Sequence, residues 1–250
     1  MPPKILGVIP ARFASSRFPG KPLASLAGKP MIQHVWERAC ESKLLARTVV
    51  ATDDERIAAA ARGFGAEVAM TRDDHPSGTD RVAEAAARTD AEVVVNIQGD
   101  EPMIDPAAID LAILTLLDDA KCGMATLKKR LSCPEEIANP NVVKVVTAGD
   151  GRALYFSRSP IPSNRGGEAV YWKHIGLYVY RRDLLLSYSS LPVGPLEQAE
   201  KLEQLRALEN GIAIRVAETT YETIGVDTPE DLQAVNIRFQ DSSTPVSHHG

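Results

Sequence analysis

The chain of 250 residues is 44% hydrophobic and 24% charged, proportions that are ordinary for a globular domain with a substantial core. Its formal net charge of −5 argues against a broad nucleic-acid-binding surface, and its three cysteines lack the C-x-x-C spacing of zinc knuckles and redox motifs. No apolar run approaches the length of a membrane span, and the N-terminus lacks a signal-peptide core. We therefore expect a cytoplasmic protein with reduced thiols that contacts neither membranes nor nucleic acid.

An apolar segment near the N-terminus leads into a loop that is rich in positive charge. Residues 5–9 form a short apolar run bounded by prolines, which is typical of a central strand in a parallel sheet. Ligands of open α/β sheets bind beyond the carboxyl ends of the strands, so the loop that follows predicts a polyphosphate site. The alternative is an ordinary solvated turn. The loop carries Arg12, Ser15, Ser16, Arg17 and Lys21.

This loop is neither a Walker loop nor a dinucleotide-binding loop. Ser15 stands where a Walker loop needs its first glycine, and Pro22 follows Lys21 where a serine or threonine is required. The two G-x-G runs of the chain, which begin at Gly63 and Gly149, lack the third glycine of the dinucleotide fingerprint. We interpret Asp150-Gly151 instead as a hairpin turn.

Strands and helices alternate through the first half of the chain, which is the pattern of a parallel sheet with crossover helices. Residues 1–240 are predicted to form one domain, 157–170 an irregular excursion, and 241–250 a disordered tail. The predicted strands cover residues 5–9, 48–51, 66–69, 92–97, 122–128, 141–146, 173–180 and 212–216. The predicted helices cover residues 30–40, 54–62, 79–88, 105–118, 134–138 and 196–210.

Two aspartates are predicted to follow strands. Asp100 lies near the end of the run VVVNIQGDEP, after its apolar residues, where a carboxylate can hold Mg²⁺ together with substrate phosphate oxygens; a polar turn closed by Pro102 is an equally good interpretation. Asp227 lies in IGVDTPEDL, in which Thr228 is a natural N-cap and Asp231 a capping-box acid. Capping does not require Asp227, which reaches the same ion as Asp100 if their strands are neighbours.

Small polar residues before the predicted helix at 79–88 form a weaker candidate. Arg72, Ser77 and Gly78 lie in the run TRDDHPSGTDR, and their free backbone groups suit close approach to a planar base. Ser77 or Thr79 also accounts for the segment simply as a helix cap, and on this segment alone the cap is the better interpretation.

A second weak candidate is spread over the C-terminal half. Arg158 suits a bidentate carboxylate, whereas His174, Glu203 and Gln204 suit sugar hydroxyls. In the predicted helix at 196–210, leucines at positions 202, 205 and 208 are expected to face the core, with Glu203 and Gln204 on a different face. Taken singly, a histidine in a strand is as well explained as a structural residue, and acids on a helix are as well explained as a solvated face.

Together these motifs resemble a known family, the 3-deoxy-manno-octulosonate (Kdo) cytidylyltransferases, also called CMP-Kdo synthetases. The resemblance spans Ile9 to about Val235, and its runs include IPARFASSRFPGKPL, HPSGTDR, VNIQGDEPMI, NPNVVKVV, KHIGLYVY, PLEQAEKLEQLR and GVDTPEDL. It implies a Rossmann-like fold of the nucleotide-diphosphosugar-transferase type, with a mixed, mostly parallel central sheet flanked by helices. It also implies a small sugar-binding and dimerisation subregion at about 155–210.

The resemblance implies transfer of CMP from CTP to the anomeric hydroxyl of Kdo, with release of pyrophosphate, for lipopolysaccharide biosynthesis. It further implies Mg²⁺ as the cofactor and a homodimer as the assembly. The closest alternative is CMP transfer to another acidic sugar, such as sialic acid or 8-amino-Kdo. A non-catalytic nucleotide-sensing module is the alternative from a different class.

The resemblance also assigns roles to individual positions. The triphosphate is expected at Arg12, Ser15, Arg17 and Lys21, and the metal at Asp100 and Asp227; of these, Arg12, Lys21, Asp100 and Asp227 are expected to carry catalysis. The cytosine is expected at Arg72, Ser77 and Gly78, with the Ala11 backbone opposite and Gln98 near the ribose. Asp100 is also expected to bind the nucleotide. The Kdo pocket is expected at Arg158, His174, Tyr178, Glu203 and Gln204.

Overall fold

The computed structural model describes residues 3–14 and 17–243. The strands are β1 (Ile5–Ala11), β2 (Ser25–Leu26), β3 (Lys29–Pro30), β4 (Arg47–Thr52), β5 (Glu67–Met70), β6 (Val93–Asn96), β7 (Met124–Leu131), β8 (Lys144–Thr147), β9 (Ala153–Ser157), β10 (Tyr171–Arg181) and β11 (Ile214–Glu218). The α-helices are α1 (Met31–Cys40), α2 (Glu55–Gly63), α3 (Gly78–Ala87), α4 (Pro106–Leu117), α5 (Pro134–Ala138), α6 (Arg182–Tyr188), α7 (Pro195–Glu200), α8 (Leu205–Glu209) and α9 (Pro229–Ser243). A short 3-10 helix covers Lys21–Leu23.

One mixed sheet organises the molecule, with strands in the order β11-β7-β10-β6-β1-β4-β5. Strand β1 lies between β6 and β4 and is parallel to both, β4 is parallel to β5, and β11 is parallel to β7. Strand β10 is antiparallel to β6 and β7, and it also pairs with β8 of the β8-β9 hairpin. The predicted mixed, mostly parallel sheet is confirmed.

Apolar cores fill both faces of this sheet. Alternate residues of a strand point to opposite faces, so Ile5 and Ile9 of β1 join the core beneath α1, α2 and α4. Leu6 and Val8 join the opposite core beneath α3 and α6. All four side chains are at most 4% exposed, which explains why β1 is almost continuously apolar.

The parallel pairing of β1 with β6 sets the position of the loops that follow them. Both strands end at the same edge of the sheet, at Ala11 and Asn96, so the basic loop and the turn containing Asp100 are neighbours. The approach is close, because a Cβ atom on Gly99 would lie 2.8 Å from the carbonyl oxygen of Pro10. Only glycine fits at this position without a shift of the backbone.

The predicted turn at Asp150-Gly151 is confirmed, since Gly151 has a φ of +82° between β8 and β9. Strand β9 itself was missed by the sequence analysis, which treated its residues only as part of a sugar pocket. It pairs antiparallel to β8 through Val145 and Phe156, and Phe156 is fully buried. Residues 158–170 contain no helix or strand, as expected for the excursion.

The single helix predicted over residues 196–210 is wrong. Helix α7 ends at Glu200, Lys201 adopts a left-handed φ of +53°, and α8 begins only at Leu205. The reason is tertiary: the Glu200 carboxylate accepts hydrogen bonds from Ser157 Oγ at 2.6 Å and from the Arg158 backbone at 2.8 Å. These contacts anchor the end of α7 on β9 and outweigh the helical propensity of the segment.

The C-terminal helix extends past the predicted end of the domain at residue 240. Helix α9 reaches Ser243, three residues into the predicted tail, and residues 244–250 lie outside the described residues. Its predicted capping box is confirmed, because Asp231 N donates to Thr228 Oγ1 at 3.2 Å and Thr228 N donates to Asp231 Oδ2 at 2.9 Å. Within residues 3–14 and 17–243, no helix is long and apolar enough to cross a membrane.

Candidate active site

A polar cleft opens at the carboxyl edge of β1 and β6, with a volume of about 340 Å³. It contains nine of the residues predicted for the nucleotide and metal sites, namely Ala11, Arg12, Arg17, Lys21, Ser77, Gly78, Gln98, Asp100 and Asp227. Pro10, Pro22, His75, Pro76, Arg81 and Gly99 complete its lining. Ser15, which was predicted to bind the triphosphate, lies outside the described residues.

Lys21 joins the two predicted metal ligands at the centre of this cleft. Its Nζ atom lies 2.9 Å from Asp100 Oδ2 and 3.3 Å from Asp227 Oδ1, and it donates to the Val226 carbonyl at 2.7 Å. The Lys21 side chain is only 15% exposed, whereas the side chains of Asp100 and Asp227 are 34% and 49% exposed. Arg17 adds a second cation, 3.1 Å from Asp227 Oδ2. The predicted convergence of Asp100 and Asp227 is confirmed, while their chemical roles stay predictions.

The two segments that carry these aspartates are also tied together behind the cleft. Val226 N donates to the Asp100 carbonyl at 2.9 Å, and Tyr221 Oη donates to Glu101 Oε2 at 3.0 Å. Burial, reinforced by the adjacent Asp100 charge, raises the pKa of Glu101 to about 7. Glu101 and Tyr221 are both less than 10% exposed, so their hydrogen bond lies in the interior.

Removal of the Tyr221 hydroxyl is expected to destabilise the fold. At pH 8 the Tyr221→Phe variant leaves the buried Glu101 carboxylate without its donor, which costs about 1–3 kcal/mol of the free energy of unfolding. Urea denaturation measures this loss as a lower midpoint with an unchanged m-value. Tyr155→Phe is the matched control, since its hydroxyl lies 3.5 Å from Glu200 and contributes little. Equal stability of wild type and Tyr221→Phe contradicts the role assigned to this bond.

The carboxylates suit a magnesium ion. Asp100 and Asp227 offer hard oxygen ligands, and one cation, the Lys21 ammonium, already contacts both. The part of the chain that the structure describes holds no cluster of three or more His, Cys, Asp or Glu residues fit for a metal. Mg²⁺ commonly takes one or two carboxylates and completes its octahedral shell with waters and substrate phosphates, so two aspartates are a sufficient donor set.

The segment predicted to bind the base only partly enters the cleft. Ser77 caps α3, accepting a hydrogen bond from Asp80 N at 3.2 Å, and also lines the cleft with Gly78, so the capping and binding interpretations are compatible. Arg72 does not line the cleft. Its side chain is 68% exposed and its Nε atom lies 3.2 Å from Asp74 Oδ1.

Arg81 is a cleft residue that the sequence analysis missed. Its side chain is 6% exposed, pairs with Asp53 Oδ1 at 2.9 Å and donates to Thr71 Oγ1. The available signal was its helical spacing, since Arg81 follows Gly78 by three residues and therefore lies on the same face of α3. The sequence analysis quoted His75 within this segment but gave it no role.

Two residues predicted for the sugar pocket pack together on β10. The rings of His174 and Tyr178 lie 5.4 Å apart, and Phe156 meets the His174 ring edge-on at 5.0 Å. Burial lowers the pKa of His174 to about 3, so the imidazole is neutral at pH 7. Burial also raises the pKa of Tyr178 well above its ordinary value.

The other three residues predicted for the sugar pocket have different environments. Glu203 is near Thr79 and Tyr178, and burial raises the pKa of its carboxyl group, whereas Gln204 is only 5% exposed. Arg158 Nε donates to the Glu200 carbonyl at 2.7 Å, and its NH1 donates to the Pro140 carbonyl at 3.0 Å. The guanidinium therefore holds the backbone at the end of α7, and its role towards a carboxylate stays a prediction.

The buried His174 predicts acid sensitivity. Its pKa is about 3 in the folded protein, well below the ordinary histidine value of 6.5, so the unfolded state gains a proton as the pH falls through this window. The free energy of unfolding is therefore expected to fall by up to about 1.4 kcal/mol per pH unit from this group, and the contribution is constant above pH 7. The His174→Gln variant should lack this slope. Urea denaturation from pH 8 to pH 4 tests this, and parallel curves contradict it.

Comparison with known proteins shows the family of the chain. Residues 6–219 match the family model described as "Cytidylyltransferase". The 3-deoxy-manno-octulosonate cytidylyltransferase of Solibacter usitatus is 64% identical, over 97% of each chain, and that of Geobacter metallireducens is 56% identical, over 93% of this chain and 96% of the relative. A solved CMP:2-keto-3-deoxy-manno-octonic acid synthetase complexed with CTP superposes with a TM-score of 0.92 at 48% identity, over 96% of this chain and 99% of that one. The chain belongs to the cytidylyltransferase family and, within it, to the 3-deoxy-manno-octulosonate cytidylyltransferases.

Proposed function

We propose that this enzyme transfers CMP from CTP to the anomeric hydroxyl of Kdo and releases pyrophosphate, forming CMP-Kdo for lipopolysaccharide biosynthesis. Family membership over nearly the whole chain supports the reaction. The observation that carries the proposal is the convergence of Asp100 and Asp227 on the Lys21 ammonium inside a cleft lined by basic side chains. Anions and cations are thus arranged on one site, as a nucleoside triphosphate with a divalent ion requires.

The basic loop is suited to the charge that develops during transfer. The anomeric oxygen attacks the α-phosphorus, the bond to the β-phosphate oxygen breaks, and the departing pyrophosphate gains negative charge. Arg12, Arg17 and Lys21 line the cleft and would stabilise this charge. Positioning and electrostatics account for such a reaction, so no covalent protein intermediate is needed.

Asp100 and Asp227 would hold Mg²⁺ in this proposal. When bound, the ion supplies charge neutralisation on the phosphates and lowers the pKa of a coordinated hydroxyl. In the free protein Lys21 and Arg17 pair with the two carboxylates, and the backbone hydrogen bond from Val226 to Asp100 ties together the two segments that carry them. Lys21, Arg12, Asp100 and Asp227 are the residues that we assign to catalysis.

For the sugar acid, we assign the polar group around β10 and α8. Neutral His174, Tyr178, Glu203 and Gln204 suit hydroxyl groups, and Glu203 lies near Thr79, one residue beyond the cleft residue Gly78. The sugar site would thus adjoin the nucleotide cleft at the first turn of α3. The cytosine is assigned to Ser77, Gly78 and the Ala11 backbone, with Gln98 beside them.

We also propose a cytoplasmic homodimer that forms through the subregion at 155–210 and its neighbouring strands. Large apolar side chains are exposed in and beside this part of the chain, which favours burial against a second copy. Leu154 is 62% exposed, Val170 42%, Val193 49% and Leu196 41%. Sedimentation analysis would return a monomer if this proposal is wrong.

Pyrophosphate release with CTP, Mg²⁺ and Kdo tests the activity directly. We expect release with Kdo and CTP, and little with UTP or when Kdo is replaced by sialic acid or 8-amino-Kdo. A strong preference for one of these other sugars would reassign the substrate within the same reaction class. Binding of CTP without pyrophosphate release for any sugar acid would instead favour a nucleotide-sensing module.

A further inference from the structure

Strand β10 departs from regular pairing opposite Thr126 of β7. Ile175 pairs with Leu127 and Val179 pairs with Ala125, so three residues of β10 face the single residue Thr126. Such a bulge re-aims side chains on the strand that contains it. Of the two predicted sugar residues, His174 pairs regularly with Lys128 just before the bulge, and Tyr178 is one of the three residues that face Thr126. The bulge therefore determines how Tyr178 leaves the sheet, and His174 contacts Thr126 from the regular pair beside it.

The hydroxyl group of Thr126 lies at the centre of the bulge. Its Oγ1 atom is 2.8 Å from the Ile175 carbonyl oxygen, 2.9 Å from the Leu177 carbonyl oxygen and 3.1 Å from His174 Nε2. Thr126 is 0% exposed, so water does not compete for these contacts. Two acceptors and one ring nitrogen thus share a single hydroxyl group.

The number of hydrogens decides which of these groups donates. A threonine hydroxyl has one hydrogen and two lone pairs, and a carbonyl oxygen can only accept. If the hydroxyl donated to His174 Nε2, its oxygen would face both carbonyl oxygens, at 2.8 and 2.9 Å, with no hydrogen between them. Donation of the one hydrogen to a carbonyl oxygen, or its sharing between both, relieves that repulsion and leaves an Oγ1 lone pair for a hydrogen on Nε2.

We propose that Thr126 is a positioning residue that holds His174 as the Nε2–H tautomer, so that Nδ1 accepts a hydrogen bond from a hydroxyl group of the sugar acid. The part of the proposal that concerns the ligand, a hydrogen bond from the sugar acid to Nδ1, rests on the function proposed above. The part that concerns the tautomer of His174 is a property of the free protein. Nδ1 has no hydrogen bond to any of the described residues, so its lone pair is available.

Neighbouring rings make the orientation definite. Phe156 meets the His174 ring at an interplanar angle of 80°, and Tyr178 packs on it at 42°, so the imidazole is held between two aromatic side chains. Because the plane and the tautomer of the imidazole are both fixed, the acceptor Nδ1 points in one direction. Such a site selects a ligand that presents a donor there, because a ligand without that donor loses a hydrogen bond in a buried site.

The tautomer can be measured directly on the full-length protein. Long-range ¹H–¹⁵N spectra at pH 7 distinguish a protonated from an unprotonated ring nitrogen, and His174→Gln assigns the signals. We expect protonated Nε2 and unprotonated Nδ1 in the free wild-type protein. A protonated Nδ1, either alone or in an imidazolium, overturns the proposal whatever the enzyme's activity.

Two substitutions at position 126 test whether the Thr126 hydroxyl fixes the tautomer of His174. Thr126→Val keeps the shape but removes the hydroxyl, and we expect a mixture of tautomers together with a KM for Kdo that rises about two- to tenfold, the range for one lost hydrogen bond. The KM for CTP should stay unchanged. Thr126→Ser keeps the hydroxyl and should restore both the single tautomer and the KM for Kdo.

Thr115→Val is the matched control, because its hydroxyl donates within α4 to the Leu111 carbonyl at 2.7 Å, away from the cleft. It should change neither the tautomer nor the KM for Kdo. An unchanged tautomer and unchanged KM for Kdo in folded Thr126→Val overturn the proposal, and the tautomer of the wild-type protein decides it if the valine variant fails to fold. Absence of Kdo turnover in wild type would overturn the proposed function but leave the tautomer measurement decisive.

Discussion

Turnover by the Asp100→Asn variant is expected to fall about 100-fold at saturating CTP, Kdo and Mg²⁺, equivalent to about 3 kcal/mol of activation free energy. Asparagine keeps the size of the side chain but removes the charge. Asp100 is the closer of the two carboxylates to Lys21 Nζ, at 2.9 Å, and it would provide one of the two ligands for Mg²⁺. Initial rates of pyrophosphate release over a Mg²⁺ titration measure the effect.

Asp105→Asn is the matched control for this variant. Asp105 lies five residues further along the same segment, where it caps α4 by accepting from Ala107 N at 2.9 Å. Asparagine is as good an N-cap as aspartate, so activity and stability should both be retained. If Asp100→Asn turns over nearly as fast as wild type at saturating Mg²⁺, the assignment of Asp100 is wrong.

Sequence reasoning located the components of the cleft but not their contacts. Asp100 was recognisable because it follows the predicted strand at 92–97, and Asp227 because the capping box formed by Thr228 and Asp231 does not require it. Their proximity depends on a hydrogen bond from Val226 to the Asp100 carbonyl, between residues 126 positions apart. The intervening strands β7, β8, β9, β10 and β11 must all be placed before that contact can be inferred. Local pattern therefore identified candidates, and topology brought them together.

The wrong helix prediction over residues 196–210 and the unrecognised role of Thr126 have the same physical origin. Residues 196–210 have a helical pattern. The hydrogen bonds that Ser157 and Arg158, more than 40 residues away, donate to the Glu200 carboxylate accompany the end of the helix before Lys201. Thr126 gave no signal either, because threonine is an ordinary strand residue. Its significance depends on a bulge in the partner strand that the alternating pattern of residues 173–180 does not reveal. In both cases a long-range contact outweighed a local preference.

The Lys21→Met variant is expected to move two measurements in opposite directions. Turnover should fall about 100-fold, because a cation that would stabilise the departing pyrophosphate is lost. The affinity of the free protein for a divalent cation should instead rise severalfold, since the Lys21 ammonium contacts the same carboxylate oxygens, at 2.9 and 3.3 Å, that the ion would use. Calorimetric titration with Mg²⁺, or with Mn²⁺ followed by its paramagnetic signal, measures this affinity without any turnover.

Lys29→Met provides the control, because Lys29 pairs with Glu37 at 2.7 Å on the surface and its side chain is 46% exposed. Its loss should leave both turnover and cation affinity unchanged, since exposed ion pairs contribute little. A fall in both measurements for Lys21→Met would mean that Lys21 holds Asp100 and Asp227 in place rather than competing for them. In that outcome the two aspartates would need the lysine to form a metal site, and the proposed exchange of one cation for another would be wrong.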